Sequence, residues 1–334
     1  CGVGVDVNTP LLTAVASASR GFATFVLPKE DVEVKVARVF NALSGPILAD
    51  ASFETVDKKG RHQPGRVTDV LPRQLPDLFQ GDQLVLLGRY LGEEPLGLKF
   101  RGNYLGKDRD FTFTFDLESA TTRNSFVPRL WASRKIAVLV DQIRQAGADL
   151  TFSTDIARVA NDPRFAELVD EIVRLSTEFG ILTEYTAFLA REGTDLSRQV
   201  QVMQEGRDDF RGRVVKVRSG WGSVSQSVKN GGLGNRQYLS PRSVCCGDNG
   251  NQVDNDGVQQ MGDRAFYRRG GRWVDARVAN KQETTAPARV VEFGSDEYGD
   301  LALELAEEGR QGSISMEGDT LLEVNGEEIL IRNR

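Results

Sequence analysis

The chain has 334 residues, of which 40% are hydrophobic and 27% charged, with 42 basic and 48 acidic side chains leaving a net charge of −6. That length accommodates two or three domains with cores of their own, and the composition excludes wholesale disorder and fibrous repeats. Charges of both signs are interspersed, which argues against a nucleic-acid partner, and no apolar run approaches the roughly 20 residues that span a bilayer.

From Cys1 to Asp6 the chain is short, apolar and glycine-spaced, as in an interior strand already under way, and neither an initiator methionine nor a signal-peptide pattern precedes it, so a fragment is expected. Asn8 or Thr9 with Pro10 starts a helix through Ser19, and Gly21 closes it. Phe22 to Leu27 reads as the next strand, and Pro28 and Asp31 open a second helix whose stripe of Val32, Val36, Val39, Phe40 and Leu43 should be buried. Strand, helix, strand and helix in that order describe the end of an open α/β sheet, residues 1–45.

From Pro46 the period becomes that of strands, at Ala49–Val56, Val67–Leu71, Asp82–Tyr90, Leu96–Gly102 and Phe111–Phe115. Alternation in the last run puts its phenylalanines on one face. With glycine and proline turns between the runs, an antiparallel β-sandwich over 46–123 is expected.

A helical segment follows over 124–190, packed on the sandwich. Leu130, Trp131, Ile136, Leu139, Val140 and Ile143 share one of its faces, and Phe165, Leu168, Val169, Ile172 and Leu175 another. Beyond Arg191 the periodicity fades, and Ser219–Asp256 is rich in Gly, Ser and Asn, so 191–262 is expected to be a flexible linker or insertion. Structure returns over 263–334 as a small α+β element: strands around Gly270-Gly271, a strand at Arg289–Phe293, a helix from Ser295 to about Glu307 and a last hairpin at Asn325-Gly326. The fold class is therefore α+β multidomain.

Three stretches carry a resemblance. They are Leu71-Pro-Arg-Gln-Leu-Pro-Asp-Leu-Phe-Gln-Gly81 followed by Leu84-Val-Leu-Leu-Gly-Arg-Tyr90, then Asn124-Ser-Phe-Val-Pro-Arg-Leu-Trp-Ala-Ser-Arg-Lys-Ile-Ala137, then Leu168-Val-Asp-Glu-Ile-Val-Arg-Leu-Ser-Thr-Glu-Phe-Gly-Ile-Leu-Thr-Glu-Tyr-Thr-Ala-Phe-Leu189. Together they resemble the region downstream of the von Willebrand factor type A domain in the inter-alpha-trypsin inhibitor heavy-chain family, whose members carry VIT and type A domains, particularly its bacterial members. Gly2-Val-Gly-Val-Asp-Val-Asn-Thr9 looks like the last part of the type A sheet, and 263–331 is similar to the family's C-terminal portion more loosely. The resemblance implies a C-terminal part of such a protein, beginning inside the type A domain. It implies a non-enzymatic role in protein interaction or adhesion, with a protein or extracellular-matrix-like ligand taken by the type A domain. An extracellular, periplasmic or cell-surface location goes with it.

Adhesive type A domains hold a divalent cation, Mg²⁺ or similar, through Asp-x-Ser-x-Ser and later loops. The resemblance places those loops upstream of Cys1, so no metal ligand and no cofactor is assigned to this chain. Asp50-Ala-Ser52 and Asp195-Leu-Ser197 lack the second serine, and Asp6 reads as a turn aspartate. The lone histidine, His62, sits in a polar turn, and no catalytic residue is assigned. Cys1, Cys245 and Cys246 cannot all pair within one chain, and the adjacent two lack partners for nucleophilic or metal chemistry. Gln252–Asp263 echoes an EF-hand loop faintly, with Gln at its first position and Asp at its last, and reads by default as a flexible polar turn. Asp162, Glu167, Asp170 and Glu171 read as a solvated helix face, and Trp131 and Tyr185 as core. Two rival functions remain open on the residues: an enzyme built around Arg89, Asp77 and Tyr90, and a carbohydrate-binding sandwich using Trp221 and Trp273. The ligand and the oligomeric state are not legible.

Overall fold

Asn8 sets the first helix: its side chain accepts from the Leu11 amide at 3.1 Å, and Pro10 falls in the first turn, where no amide donor is missed. In the computed structural model this helix is α1, Thr9–Ala18. The structure describes residues 2–21, 23–26, 30, 32–42, 45–121, 123–146, 162–213, 217, 219–234, 242–246, 252–281 and 286–333. They group into two units, Cys1–Thr121 with Ser219–Val224 and Thr122–Arg218 with Ser225–Arg334.

In the first unit, β1 (Gly2–Val3) pairs in parallel with β2 (Phe25–Val26), and α2 spans Val32–Ala42. Gly2 is needed here, because a Cβ would stand 2.9 Å from the Phe25 ring. The expected burial of the α2 stripe is not met: Val32, Val36 and Phe40 are exposed, as are Val3 of β1 and Leu11 and Val15 of α1. The side chain of Val39, Leu43 and the helix-opening Pro28 and Asp31 lie outside the described residues.

The strand-rich stretch forms two antiparallel sheets. One contains β3 (Leu48–Val56), β6 (Leu96–Tyr104) and β7 (Lys107–Phe115) in the order β3-β6-β7. The other pairs β4 (Val67–Leu71) with β5 (Leu87–Tyr90). Leu105 and Gly106, with φ of 50° and 84°, make the tight turn between β6 and β7. Asp50 and Asp69 take positive φ where the registers of β3 and β4 slip, the local geometry of a bulge. Only Leu87–Tyr90 of the expected strand Asp82–Tyr90 is extended, whereas β7 starts four residues before Phe111, at Lys107.

The second unit is built on a seven-stranded mixed sheet, ordered β12-β14-β13-β11-β10-β9-β8. Its strands are β8 (Arg242–Cys246), β9 (Gln252–Met261), β10 (Arg264–Arg269), β11 (Arg272–Asp275), β12 (Arg289–Glu292), β13 (Thr320–Val324) and β14 (Glu327–Arg332). Two-residue turns at Gly270-Gly271 and Asn325-Gly326, all at positive φ, close the hairpins β10–β11 and β13–β14.

Helices α3 (Val127–Ala146), α4 (Pro163–Phe179) and α5 (Gln199–Arg213) bury Ile136, Ile143, Ile172, Leu175 and Phe210 in one core with Phe188 of the 3-10 turn Ala187–Ala190 and Val258, Ala265 and Tyr267 of the sheet. Asp162 caps α4 and Gly180, at φ 65°, ends it; a Cβ on Gly180 would also stand 2.8 Å from that of Ala265. A second cluster gathers Phe266, Trp273, Leu322 and Ile331 with Leu301 and Leu305 of α8 (Asp296–Glu307), the helix capped by Ser295. Between β11 and β12, α7 covers Ala276–Ala279.

Two sequence expectations change. The stretch 191–262, read as a flexible linker, contains α5, a further helix α6 (Gly220–Gly234), β8 and β9, and it buries Val202, Phe210, Val224 and Leu233. The helical segment and the C-terminal α+β element, read as separate, share one unit, and α4 packs on β10.

Candidate functional site

The sheet β3-β6-β7 has two chemically different faces, set by the strand period of two. On one, Lys99 and Arg101 of β6 meet Asp110 of β7 at 2.6 and 3.4 Å, and Arg101 also reaches Glu54 of β3 at 3.3 Å. His62 Nδ1 is 3.1 Å from Glu54, and its side chain is exposed, as a solvated turn requires. The Lys99 ammonium beside Asp110 holds that carboxyl below its usual range, with Arg101 adding to the effect. These are exposed pairs that fix register and contribute little energy.

The opposite face is aromatic. Phe53 and Phe100 have ring centroids 5.9 Å apart, Phe100 and Phe113 meet edge to face at 5.8 Å, and Tyr104 and Phe111 do the same at 6.2 Å. Alternation correctly set Phe111, Phe113 and Phe115 on one side, but Phe113 and Phe115 are about half exposed, at 52% and 49%. This is the feature that sequence reasoning missed, because a period of two identifies a face without saying what covers it.

The residues raised as an enzyme site are not assembled. Asp77 accepts from the Asp50 amide at 3.0 Å and lies 3.7 Å from Arg20, while Arg89 and Tyr90 sit exposed on β5 opposite Thr68 and Val67. Asp50 lies 3.4 Å from the same Arg20 guanidinium, which occupies the place a cation would need. The first unit also has a mainly apolar hollow of about 140 Å³ lined by Gly2, Leu12, Val15, Ala16, Ala23, Thr24 and Phe25, with Thr24 the one polar side chain in that lining.

The other carboxylates raised by the sequence are not brought together. Asp162 binds Arg164, Asp170 binds Arg207 across α4 and α5, and Glu171 binds Arg174. Asp195 accepts from the Ser197 hydroxyl, which lowers its pKa. Asp6 is exposed in a bend. The EF-hand echo is overturned: Gln252–Met261 is one extended strand, and Asp263 is held by Arg310 at 2.7 Å and Arg277 at 3.4 Å. Among the described residues, no group of three or more His, Cys, Asp and Glu side chains could hold a metal ion. The side chains of Cys245 and Cys246, like Cys1, lie outside the described residues.

Of the aromatic candidates, Tyr185 is core, 4.6 Å from Phe210, and burial pushes its hydroxyl pKa well up. Trp273 is buried with its indole N–H donating to the Glu317 carbonyl at 3.1 Å, so it offers no sugar-stacking face; Trp221 is exposed. Trp131 packs against the helical core but is only partly buried, with Lys135 over its ring at 5.7 Å.

Similarity to known proteins points in one direction, at low identity. The chain is 26% identical over 214 residues to von Willebrand factor A domain-containing protein 5A of Homo sapiens, covering 62% of this chain and 24% of that protein. It is 19% identical over 211 residues to inter-alpha-trypsin inhibitor heavy chain H3 of Rattus norvegicus, covering 60% and 21%. Heavy chain H2 of Sus scrofa is 26% identical over 93 residues, covering 28% and 9%. The chain thus spans less than a quarter of the length of these relatives. No family profile and no solved structure matches it. The chain therefore has a weak, partial similarity to eukaryotic von Willebrand A and heavy-chain proteins, on a mixed α/β multidomain architecture with several sheets.

Proposed function

We propose that this chain is the scaffold region of a non-catalytic protein-interaction or adhesion protein of the von Willebrand A and heavy-chain type, of bacterial origin and outside the cytoplasm. In this reading β1, α1, β2 and α2 are the end of a type A sheet, and β3 to β7 form a sandwich beside it. The adhesive metal site belongs to other strands of that sheet. The observation that carries the reading is the exposed apolar surface of the parallel pair and its helices, at Val3, Val15, Val36 and Phe40. Parallel sheets occur almost only with both faces covered and with more strands than two, so this surface matches a sheet continued by further strands. The similarity over about 60% of the chain to proteins named for their A domains supports the same reading.

Calorimetric titration of this chain with Mg²⁺ should show no stoichiometric site, whereas the product of the whole coding sequence should bind Mg²⁺ and retain a protein ligand that chelation releases. A micromolar Mg²⁺ site in this chain alone would overturn the assignment, as would a whole product that binds no divalent cation.

A further inference from the structure

The three-stranded sheet ends at β7, whose outer edge pairs with no strand among the described residues. The β6–β7 register sets Phe115 beside Leu96, Phe113 beside Leu98 and Phe111 beside Phe100, and continues the same row with Arg109 and Lys107. The aromatic contacts pass from Phe53 through Phe100 to Phe113 and stop at that edge. A free edge carrying half-exposed phenylalanines is the arrangement that folded proteins avoid unless something covers it.

We propose that β7 is a strand-addition site for an extended polypeptide segment that runs antiparallel to it, apolar at alternate positions in its first half and acidic at alternate positions in its second. The edge supplies unpaired backbone donors and acceptors, and an antiparallel strand continues the existing pattern of the sheet. An antiparallel strand meets Phe115 first and Lys107 last. Its apolar side chains therefore lie beside Phe115, Phe113 and Phe111, and its carboxylates beside Arg109 and Lys107. Arg109 is held over the Tyr104 ring at 5.6 Å, a positioned cation at the right place in the row. On the polar face Asp110 is engaged by Lys99 and Arg101, and Asp108 favours a lysine in the incoming strand. A second copy of this chain is a poor match: the antiparallel register that overlaps all of β7 with itself, centred on Phe111, sets Lys107 against Phe115 and Arg109 against Phe113.

The test uses the whole chain and two labelled nonapeptides of identical composition, Val-Thr-Val-Thr-Val-Lys-Glu-Lys-Glu and Val-Thr-Val-Thr-Val-Glu-Lys-Glu-Lys, followed by fluorescence anisotropy. The first should bind about tenfold more tightly, since opposite charges across strands attract and like charges repel. Phe113→Lys, at a half-exposed position, should keep a cooperative unfolding transition with at most a small drop in thermal midpoint and lose at least tenfold in affinity. Equal affinities, no binding of either peptide, or undiminished binding to Phe113→Lys would each overturn the proposal. A concentration-dependent dimer that Phe113→Lys abolishes would overturn it too, by assigning the edge to a second copy.

Discussion

Arg264 and Asp275 meet at 3.0 Å with side chains only 3% and 1% exposed, so adjacent strands of the second unit are joined by an ion pair removed from water. Burial pushes the Asp275 carboxyl up and the Arg264 guanidinium down from their ordinary values, and each charge opposes the shift of the other. Asp275 also caps α7 by accepting from the Arg277 amide at 2.9 Å. Asp275→Ala leaves a buried guanidinium without its counter-ion and should cost about 3–5 kcal/mol in urea unfolding. The double replacement Arg264→Met with Asp275→Leu should cost clearly less than Asp275→Ala alone. Equal losses would mean that the cap, and not the uncompensated charge, dominates.

Tyr267 makes stability sensitive to alkali. Its hydroxyl is fully buried and donates to the carbonyls of Ser176 at 3.2 Å and Thr177 at 2.9 Å, at the end of α4. Burial raises its pKa, so the neutral phenol is favoured in the folded chain. That contribution is complete below the unfolded-state value of about 10 and is lost as pH rises beyond it toward the folded value. Denaturant midpoints measured from about pH 8 to 11 should fall at the top of the range, and Tyr267→Phe should reduce that fall. At neutral pH the same substitution should cost about 1–2 kcal/mol.

The close approach of α5 to α4 depends on Gly206. A Cβ there would stand 2.5 Å from Cγ2 of Val173, which is itself fully buried. In an isolated helix Gly→Ala gains about 1 kcal/mol. Here overpacking costs of about 1–3 kcal/mol should win, and the thermal midpoint of Gly206→Ala should drop. A rise would show that the two helices can move apart without penalty.

What was legible in the sequence is where local chemistry decides. Asn8 with Pro10 starts α1, Ser295 starts α8, and Asn325-Gly326 turns the last hairpin, because caps and tight turns depend on backbone preferences of single residues. The helix α6 was not legible. Its Gly220-Trp-Gly-Ser-Val-Ser-Gln-Ser227 opening has low helix propensity, and the helix is fixed by distant partners: Arg144 donates to the Ser227 hydroxyl at 2.7 Å and Asn230 to the Ala137 carbonyl at 2.9 Å. Strand β9 was hidden for a similar reason, since Asp254, Asn255 and Asp256 disfavour strands, while the strand is fixed by partners elsewhere in the sequence, β8 along Gln252–Asp254 and at Gln259 and β10 along Val258–Met261. For the candidate surface, alternation gave the row Phe111, Phe113 and Phe115, while its exposure depends on which strand lies beside it, information the local pattern does not contain.

Trp131 separates two readings of α3. The spacing of apolar residues sets it among core positions, and full burial would make Trp131→Ala cost about 3–5 kcal/mol. It is instead partly buried, with Lys135 across its ring, whereas Ile136 of the same helix is completely buried. Since the apolar contribution scales with the area removed from water, Trp131→Ala should cost about 2 kcal/mol, and less than Ile136→Ala, for which about 2–5 kcal/mol is expected. Urea unfolding of both variants decides the order. If Trp131→Ala proves the more damaging, the indole anchors the helical core, and the difference in burial between the two positions is a poor guide to what each contributes.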